Sequence, residues 1–222
     1  MEEIKIFING ESGKMGSSIA KLIDDNKNFA KVKQDDFLSA NIVIDFSHPN
    51  STAKIVNDCL IHRKPLIIGT TGLKEDIIEK IKKASKTIPI VMGSNMSKGI
   101  IDLKKSLQNY IKNNSDSINC IIEETHHTEK IDAPSGTAIE LRDYIISLDV
   151  NKKIQFIEIT SNRIGNVFGI HKVSFIKKDS IKEFKHEALT RDVFAYGALY
   201  AAKKIFFLDP SLDSSIYRFE DI

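Results

Sequence analysis

At 222 residues the chain exceeds a typical single domain of roughly 100 to 150 residues, so two modest domains are predicted, with one large domain as the alternative. Its 41% hydrophobic and 28% charged content is typical of a globular protein with a buried core and argues against disorder. The 32 basic and 30 acidic residues give a formal charge of +2 and form no basic stripe, which argues against nucleic-acid binding. No apolar stretch approaches the 18 residues of a membrane span, so we predict a cytoplasmic protein without membrane contact.

The first half of the chain alternates short apolar runs with helical patterns. We predict strands at Ile4 to Asn9, Asn41 to Phe46, Pro65 to Ile68 and Ile88 to Met92. We predict helices at about Lys14 to Asp25, Thr52 to His62 and Lys74 to Ser85. Continuous apolar runs of this length are typical of strands buried on both faces, so the pattern predicts a Rossmann-type, doubly wound parallel sheet of the α/β class.

Small and polar residues follow each of these strands, in the segments NGESGKMG, SHPN, GTTG and GSNMSKG. Open α/β sheets bind ligands outside the carboxyl ends of their strands. We therefore expect these four segments to lie along one ligand-binding edge.

The second half has a different rhythm. A helix is predicted after Ser97, to about Asn114, and a strand at Asn119 to Glu124. A second helix is predicted at Ala138 to Leu148, opened by a Thr137-x-x-Glu140 capping box. Strand-like runs follow without helices between them, at Ile154 to Thr160, His171 to Ile176 and Ile181 to Ala188. These runs predict a smaller α+β domain with an antiparallel or mixed sheet.

An alanine-rich helix is predicted at about Tyr196 to Phe207, and it would pack back on the first sheet. The pattern therefore predicts one domain of residues 1–97 and 191–222 and a second domain of residues 98–190.

A glycine turn joins the first strand to the first helix, which is the setting of a pyrophosphate site. Gly10, Gly13 and Gly16 meet the dinucleotide fingerprint only in part, because Glu11 stands where a strict GxGxxG needs glycine. A turn that serves only close helix packing therefore remains an alternative. Gly69-Thr70-Thr71-Gly72, on the same predicted edge, favours the cofactor interpretation.

The residue that would hold the ribose of such a cofactor stays open. Asp35 and Asp36 are the acidic candidates after the run Phe29 to Gln34, while Lys33 could face a 2′-phosphate. A solvated loop is the alternative for all three, so the choice between NADH and NADPH is not predicted.

The segment EETHHTEKIDAPSGTA, Glu123 to Ala138, concentrates proton-transfer and anion-binding chemistry. A histidine titrates near neutral pH, and Lys130 adds positive charge to the same loop. Either His126 or His127 could instead be structural, a stronger possibility for His127. Pro134-Ser135-Gly136-Thr137 before a helix offers backbone N–H groups to a carboxylate or phosphate.

A zinc site is a minor alternative for this segment. Its ligands would come from Glu123, Glu124, His126, His127 and Asp132. Adjacent histidines diverge on most backbones, and the HExxH spacing is missing, so we predict no metal.

Two further groups have weaker signals. Arg163, Gly165, Gly169 and His171 form a polar cluster that could equally be a turn. Cys59 and Cys120 lie far apart in apolar runs, as expected of buried free thiols in a reducing compartment.

The chain resembles the dihydrodipicolinate reductase family of lysine and diaminopimelate biosynthesis over nearly its whole length. The most specific match is E-x-HH-x-x-K-x-DAPSGTA at Glu124 to Ala138. In the same order come GxxGxMG at Gly10 to Gly16, DFS at Asp45 to Ser47, the GTTG turn, SNMS at Ser94 to Ser97, RxGxxxGxH at Arg163 to His171, and HEALTRDVFAYGA at His186 to Ala198.

The resemblance implies an enzyme that uses NADH or NADPH to deliver hydride to ring carbon 4 of a cyclic dicarboxylate, giving tetrahydrodipicolinate. By the same resemblance His126 and Lys130 handle protons, and His127, Gly136 and Thr137 contact substrate. The implied cofactor contacts are Gly10, Glu11, Ser12, Gly13, Lys14, Met15, Gly69, Thr70, Thr71, Gly93, Ser94, Asn95, Met96, Arg191 and Phe194.

The resemblance implies that residues 1–97 and 191–222 form a dinucleotide-binding domain and that residues 98–190 form a substrate-binding and tetramerisation domain. The family is a homotetramer built through the open face of the substrate-domain sheet, so the resemblance also implies that assembly. The segment Asn26 to Ala40 is shorter than its counterpart in the family, and residues that set cofactor preference are therefore not transferred. A non-catalytic dinucleotide-binding sensor and a dehydrogenase of another amino-acid intermediate are the alternative functions.

Overall fold

The computed structural model describes residues 3–208 and 215–222. It divides into two compact units, which we call the terminal unit (Met1–Met96 with Arg191–Ile222) and the central unit (Ser97–Thr190). Each unit has its own sheet and its own buried core.

The strands in chain order are β1 (Ile4–Asn9), β2 (Phe29–Lys31), β3 (Ile42–Asp45), β4 (Leu66–Ile68), β5 (Ile90–Met92), β6 (Ile118–His126), β7 (Ile154–Arg163), β8 (Ile170–Ile176), β9 (Ile181–Glu187) and β10 (Ile216–Arg218). The helices are α1 (Lys14–Asp24), α2 (Pro49–Ile61), α3 (Glu75–Ala84), α4 (Lys98–Asn113), α5 (Gly136–Leu148) and α6 (Asp192–Phe206), with short 3₁₀ helices at Phe37–Ser39 and Phe219–Asp221. Within the described part of the chain, every helix is too short or too polar to cross a membrane.

The terminal unit is built on a six-stranded parallel sheet with the order β10-β5-β4-β3-β1-β2. One set of strand residues, including Val43 and Leu66, packs with α2 and α3 residues in a common core. Residues at alternate positions, such as Ile44 and Ile67, are also fully buried, on the side where α6 contacts β3 and β4. The predicted doubly wound parallel sheet is therefore confirmed.

The central unit contains a four-stranded mixed sheet with the order β7-β6-β8-β9. Strand β6 runs parallel to β7 and antiparallel to β8, which in turn is antiparallel to β9. Helices α4 and α5 contribute Leu107 and Leu141 to a core with Ile122 of β6 and Phe175 of β8. The predicted α+β architecture with a mixed sheet is confirmed.

The start of α5 differs from its prediction. The helix begins at Gly136, and its N-cap is Ser135, whose hydroxyl accepts the Ala138 N–H at 3.3 Å. Thr137 lies inside the first turn, so the predicted Thr137-x-x-Glu140 capping box is wrong. The serine two residues earlier takes the N-cap position because its backbone is extended there, as an N-cap requires.

Several short elements escaped prediction. Strands β2 and β10 have only three residues each, too few to show a hydrophobic period. Each forms by pairing with a longer-range partner, β2 with β1 and β10 with β5. Helix α6 also begins at Asp192, earlier than the predicted Tyr196.

Cys59 and Cys120 are buried free thiols, as predicted. Burial raises the pKa of the Cys120 thiol to about 12, and it raises the pKa of Cys59 as well. Both thiols therefore behave as small apolar side chains of the two cores.

Candidate active site

The core face of β6 changes from apolar to polar toward its carboxyl end. Cys120 and Ile122 lie in the apolar core, and the next two residues on the same face are Glu124 and His126. Glu124 is fully buried and His126 is only 8% exposed. Such burial of two titratable side chains is typical of a functional site.

The Glu124 carboxylate has donors on both of its oxygens. Arg163 binds it in a two-pronged ion pair, at 3.0 Å to Oε2 and 2.9 Å to Oε1. The Ser135 backbone N–H donates to Oε1 at 3.2 Å, and His126 Nδ1 contacts Oε2. Burial alone would raise the pKa of Glu124, but the Arg163 and His126 contacts lower it to about 2. The group is therefore an ionised carboxylate.

His126 is held through Nδ1, and its other ring nitrogen is turned away from Glu124. Burial lowers the pKa of His126; Glu124 opposes this shift, while the charges of Lys130 and Arg163 add to it. The His171 ring meets the His126 ring edge-on, with 5.1 Å between the centroids. The resting imidazole is thus in its neutral form at neutral pH.

Lys130 lies in the loop between β6 and α5. Its Nζ donates to Asp132 Oδ1 at 2.7 Å. Arg163 donates through Nε to the Lys130 carbonyl at 3.2 Å and through the guanidinium to the Asp132 carbonyl. The same arginine therefore contacts Glu124 and the backbone on both sides of Ile131.

The predicted anion-binding residues stand at the N-terminus of α5. The first bond within the helix runs from Ile139 N–H to the Ser135 carbonyl at 3.1 Å, so the N–H groups of Gly136 and Thr137 precede it. Gly136 is half-buried and Thr137 is buried. Two N–H groups at the positive end of a helix dipole suit a carboxylate.

His127 is half-buried, and its carbonyl accepts the Lys130 N–H at 3.1 Å. Among the described residues there is no group of three or more His, Cys, Asp and Glu side chains placed to hold a metal ion. Of the candidate zinc ligands, Glu124 contacts Arg163 and His126, and Asp132 contacts Lys130.

The terminal unit carries the predicted glycine turn. Gly10 has a φ of +87°, and a Cβ there would stand 2.9 Å from the Phe46 carbonyl oxygen. A Cβ on Gly16 would run into the Gly10 carbonyl. Only glycine therefore fits at these two positions. It leads into α1, whose N-cap Gly13 makes no side-chain capping bond, which leaves backbone donors at the helix N-terminus.

A groove of about 660 Å³ lies beside this turn. Its lining residues are Gly10, Glu11, Ser12, Ser17, Ala20, Lys21, Asp24 and Gln34. Lys31 Nζ contacts Glu11 Oε1 at 2.7 Å, and Gln34 donates to Glu11 Oε2 at 3.1 Å. The uncapped N-terminus of α1 beside this groove suits the pyrophosphate of a dinucleotide.

Of the segment after β2, only Gln34 lines the groove, and the residues considered for the ribose do not. Lys33, Asp35 and Asp36 are exposed and are outside the groove lining. The acidic side chain nearest the turn is Glu11, which sequence reasoning regarded only as a break in the glycine pattern.

Asp45, at the end of β3, joins the end of β1, helix α2 and the turn after β4. It is fully buried and accepts hydrogen bonds from Asn9 Nδ2 at 2.8 Å, Thr52 Oγ1 at 2.5 Å and Thr70 Oγ1 at 3.1 Å. The Thr70 hydroxyl is thus bound to Asp45, and it also accepts the Ser47 N–H at 3.0 Å. The sequence alone did not predict that Asp45 holds these elements together, although an acidic residue at the end of an apolar strand could have indicated it.

The other predicted cofactor residues are spread over the terminal unit. Lys14 and Met15 open α1, and Gly69 and Thr71 are half-buried in the turn after β4. Gly93, Ser94 and Asn95 follow β5 and are half-buried, whereas Met96 is buried and its carbonyl lies against Gly197 of α6. Arg191 is the N-cap of α6, and Phe194 is half-buried in its first turn.

The sequence alone singles out Glu124 and Arg163 separately but does not predict their contact with each other and, through Glu124, with His126. Glu124 precedes His126 by two residues on one strand, a spacing that places both on the same face. Arg163 required the pairing of β6 with β7, which sets it beside His126 in the register.

Models of the dihydrodipicolinate reductase family match most of the chain, the N-terminal model at residues 30–96 and the C-terminal model at residues 99–222. The chain is 37% identical over 240 residues to a 4-hydroxy-tetrahydrodipicolinate reductase of Rickettsia rickettsii, covering 99% of this chain and 98% of the relative. A protein of the same name from Bdellovibrio bacteriovorus is 33% identical over 231 residues, covering 100% and 97%.

Solved structures agree on the fold. A dipicolinate-bound dihydrodipicolinate reductase from Paenisporosarcina superimposes with a TM-score of 0.74 at 18% identity, and covers 99% of each chain. An amine dehydrogenase from Mycobacterium smegmatis has a TM-score of 0.66 at 7% identity, covering 99% of this chain and 96% of that one. Together with the family models and the full-length relatives, these findings show that the chain belongs to the dihydrodipicolinate reductase family.

Proposed function

We propose that the chain reduces 4-hydroxy-tetrahydrodipicolinate to tetrahydrodipicolinate in lysine and diaminopimelate biosynthesis, with NADH or NADPH as the reductant. The activity is that of the full-length relatives. The finer points of the proposal, which are the cofactor, the residues that act and the oligomer, are supported by the geometry of each unit.

The glycine turn and groove of the terminal unit would hold the cofactor. The glycine turn leads into the N-terminus of α1, whose backbone N–H groups would bind the pyrophosphate, and Glu11 and Gln34 line the adjoining groove. Reduced nicotinamide, when bound, supplies a hydride, which we assign to ring carbon 4 of the substrate. Arg191 and Phe194 at the start of α6 are proposed to lie near the nicotinamide end.

The central unit would bind the dicarboxylate. The N–H groups of Gly136 and Thr137 offer a site for one carboxylate, and the side chains of His127 and Lys130 add hydrogen-bonding and charge. The Paenisporosarcina relative is a dipicolinate-bound structure. Dipicolinate, like the proposed substrate, carries two carboxylates on a six-membered ring that contains one nitrogen.

His126 and Lys130 are proposed to handle protons. The overall reaction takes up one hydride and one proton and releases the carbon-4 hydroxyl as water. Nε2 of His126 is the atom of that ring that is turned away from Glu124. Since binding a dianionic substrate favours protonated imidazole, the substrate would raise the pKa of His126 toward the working range.

The observation that carries the proposal is the buried contact between His126 and the ionised Glu124. A non-catalytic dinucleotide-binding sensor would need the glycine turn, but it would not need a histidine fixed by a buried carboxylate and placed beside an anion-binding helix. The arrangement therefore favours an enzyme over a sensor.

The test is an assay of the full chain. Substrate is generated by condensing pyruvate with aspartate semialdehyde, and the absorbance of NADH or NADPH is followed. We expect oxidation with at least one of the two cofactors, and lack of oxidation with both would contradict the proposal. Titrating the protein with each cofactor separately then gives its preference.

The oligomer is proposed from the uncovered face of the central sheet. Helices α4 and α5 cover one face, whereas Phe156 on β7 is 51% exposed, and Ile121 on β6 is half-buried at an alternate position to the core residues. We propose that a homotetramer forms through this face. Light scattering should give four times the 25.0 kDa chain mass, and Phe156→Glu should reduce that mass.

A further inference from the structure

We propose that Glu124 and Arg163 are positioning residues of the reaction, in which Glu124 sets the tautomer of His126 and Arg163 holds Glu124 and the loop of Lys130. This inference rests on the proposed function, because it assigns roles relative to the two proton-transfer residues named there. Neither Glu124 nor Arg163 is assigned a proton to transfer.

Glu124 is unsuited to act as an acid or a base. It has no proton to give because it is ionised, and both of its oxygens already accept hydrogen bonds, from Arg163, Ser135 and His126. An arginine remains charged at every working pH, so the ion pair persists through the catalytic cycle. The carboxylate therefore acts on the reaction through the ring that it contacts.

That contact decides which nitrogen of His126 carries the hydrogen. An ionised carboxylate can only accept, so Nδ1 must be the donor in the contact with Glu124. In the neutral ring Nε2 is then left with its lone pair, and it is the atom that gains and releases a proton. Without the carboxylate the two tautomers would both be populated, and a fraction of the rings would present N–H where a lone pair is needed.

The space at Nε2 fits this assignment. Gly169 faces that nitrogen, and a Cβ built on Gly169 would lie only 3.2 Å from it. The backbone there has no side chain to crowd the ring. A carboxylate at Nδ1, and a glycine in place of a bulkier residue at Nε2, are what a ring that acts through Nε2 requires.

Arg163 also holds the backbone of the loop that carries Lys130. The loop residue Ile131 is 97% exposed, so the loop tip is not anchored by burial of its apolar side chain. Arg163 instead donates to the carbonyls of Lys130 and Asp132, the two neighbours of Ile131. One guanidinium thus fixes both the carboxylate behind His126 and the backbone that carries Lys130.

The register of the sheet places Arg163 beside Glu124 and His126. In the parallel pairing of β6 with β7, Arg163 is the partner of His126, and Glu124 is the partner of Ser161. Paired residues on neighbouring strands point to the same face, so the arginine at the end of β7 reaches the glutamate and the histidine together. A one-residue slip of register would move it to the opposite face.

The direct test is nitrogen NMR of the full chain labelled in its histidines, at a pH where His126 is neutral. The His126 signals are identified by their loss in His126→Gln. We expect a protonated Nδ1 and an unprotonated Nε2 in the wild type, and a mixed population in Glu124→Gln. A wild-type ring protonated at Nε2 would overturn the proposal without any variant being made.

Kinetics provide the second measurement. Glu124→Gln should lower kcat by about 10²-fold or more, as expected when the group that orients a catalytic histidine loses its charge. NADH affinity should stay unchanged, because it depends on the terminal unit. The acidic limb of the pH profile should move to lower pH, because Glu124 raises the pKa of His126. Turnover within about threefold of the wild type, with an unmoved acidic limb, would refute the role of Glu124.

Conservative and control variants separate positioning from folding. Glu124→Asp keeps the carboxylate, so it should keep the Nδ1-protonated tautomer and recover part of the lost kcat. Arg163→Lys keeps a positive charge but loses the two-pronged contact, and it should raise hydrogen exchange of residues 127–133 and lower kcat. Asp116→Asn makes the same carboxylate-to-amide change in an exposed ion pair with Lys177 and should alter neither kcat nor the pH profile.

Failure of this inference can be told from failure of the proposed function. A wild-type chain that oxidises neither cofactor contradicts the reductase, whatever the NMR shows. A wild type that is active but protonated at Nε2, or whose Arg163→Lys variant keeps full kcat and the same loop exchange, contradicts the positioning roles alone.

Discussion

Gly169 lies directly against Nε2 of His126, so that a Cβ at this position would be 3.2 Å from that nitrogen. This distance is tighter than ordinary carbon–nitrogen contact, and either the ring or the β8 strand end would have to move. Gly169 directly precedes β8 and His126 is the last residue of β6, so the pairing of these two strands brings the two residues together.

Gly169→Ala should therefore reduce turnover. The added methyl occupies the approach to Nε2 or displaces the ring, and misplacement of about 1 Å can lower a rate by about 10²-fold. We expect kcat to fall by about 10- to 100-fold with little change in NADH affinity. Steady-state kinetics and a thermal melt of the same sample measure the effect, and unchanged kcat in a folded variant would contradict the crowding.

His126→Gln should lower kcat far more than it lowers cofactor affinity. The substitution removes a titrating ring but leaves the glycine turn of the terminal unit intact, and proton transfer by a placed side chain contributes about 10²- to 10⁴-fold. Turnover and NADH titration on the same preparation provide the comparison. A parallel loss of NADH affinity would refute the assignment of His126 to proton transfer.

Lys130→Ala should lower kcat and raise the Michaelis constant for the dicarboxylate together. The ammonium is proposed both to handle a proton and to attract the substrate carboxylates, so its loss affects both parameters. The exposed Lys178→Ala is the control for a general loss of charge. Wild-type values of both parameters in Lys130→Ala would contradict the role.

Asp45→Ala should destabilise the terminal unit by about 3 kcal/mol, because it leaves several buried donors without their acceptor. The donors come from the end of β1, from α2 and from the turn after β4, and include Asn9 and Thr70. Chemical denaturation followed by circular dichroism gives the free energy of unfolding. Asp58→Ala, an exposed carboxylate on α2, should change it by less than about 0.5 kcal/mol.

Stability should fall as the pH is lowered from 7 to 5. Burial lowers the pKa of His171 from 6.5 to about 3, so the unfolded chain binds a proton in this range that the folded chain does not. The free energy of unfolding then rises with pH, and the loss attributable to His171 at pH 5 is about 1 to 2 kcal/mol. Glu124 adds to this loss only at lower pH, since its pKa is lowered from 4.5 to about 2 and its stabilisation disappears between those values.

The check is the pH dependence of urea unfolding. His171→Leu should flatten the slope between pH 7 and pH 5, because it removes a buried group that resists protonation. His62→Leu, a change at an exposed histidine, is the control. An equal slope in the wild type and His171→Leu would contradict the contribution of His171.

Long elements of the fold were predictable because each repeats its own hydrophobic period. Strand β1 has the predicted bounds, and the end of α1 differs from its prediction by one residue, since buried isoleucines recur along both. The N-terminus of α5 was misplaced because Ser135 and Thr137 are both good N-caps, and only the backbone geometry distinguishes them.

The candidate site likewise has one part that could be predicted from the sequence and one part that could not. The sequence alone determined which groups the candidate site contains, because a histidine, a lysine and helix-terminal N–H groups lie within a few residues of one another. The tertiary structure decided how that chemistry is arranged. Glu124 is bound by an arginine 39 residues away, and Asp45 by a threonine 25 residues away. Such partners depend on strand register, which arises from long-range hydrogen bonding and burial and is not visible in any local pattern.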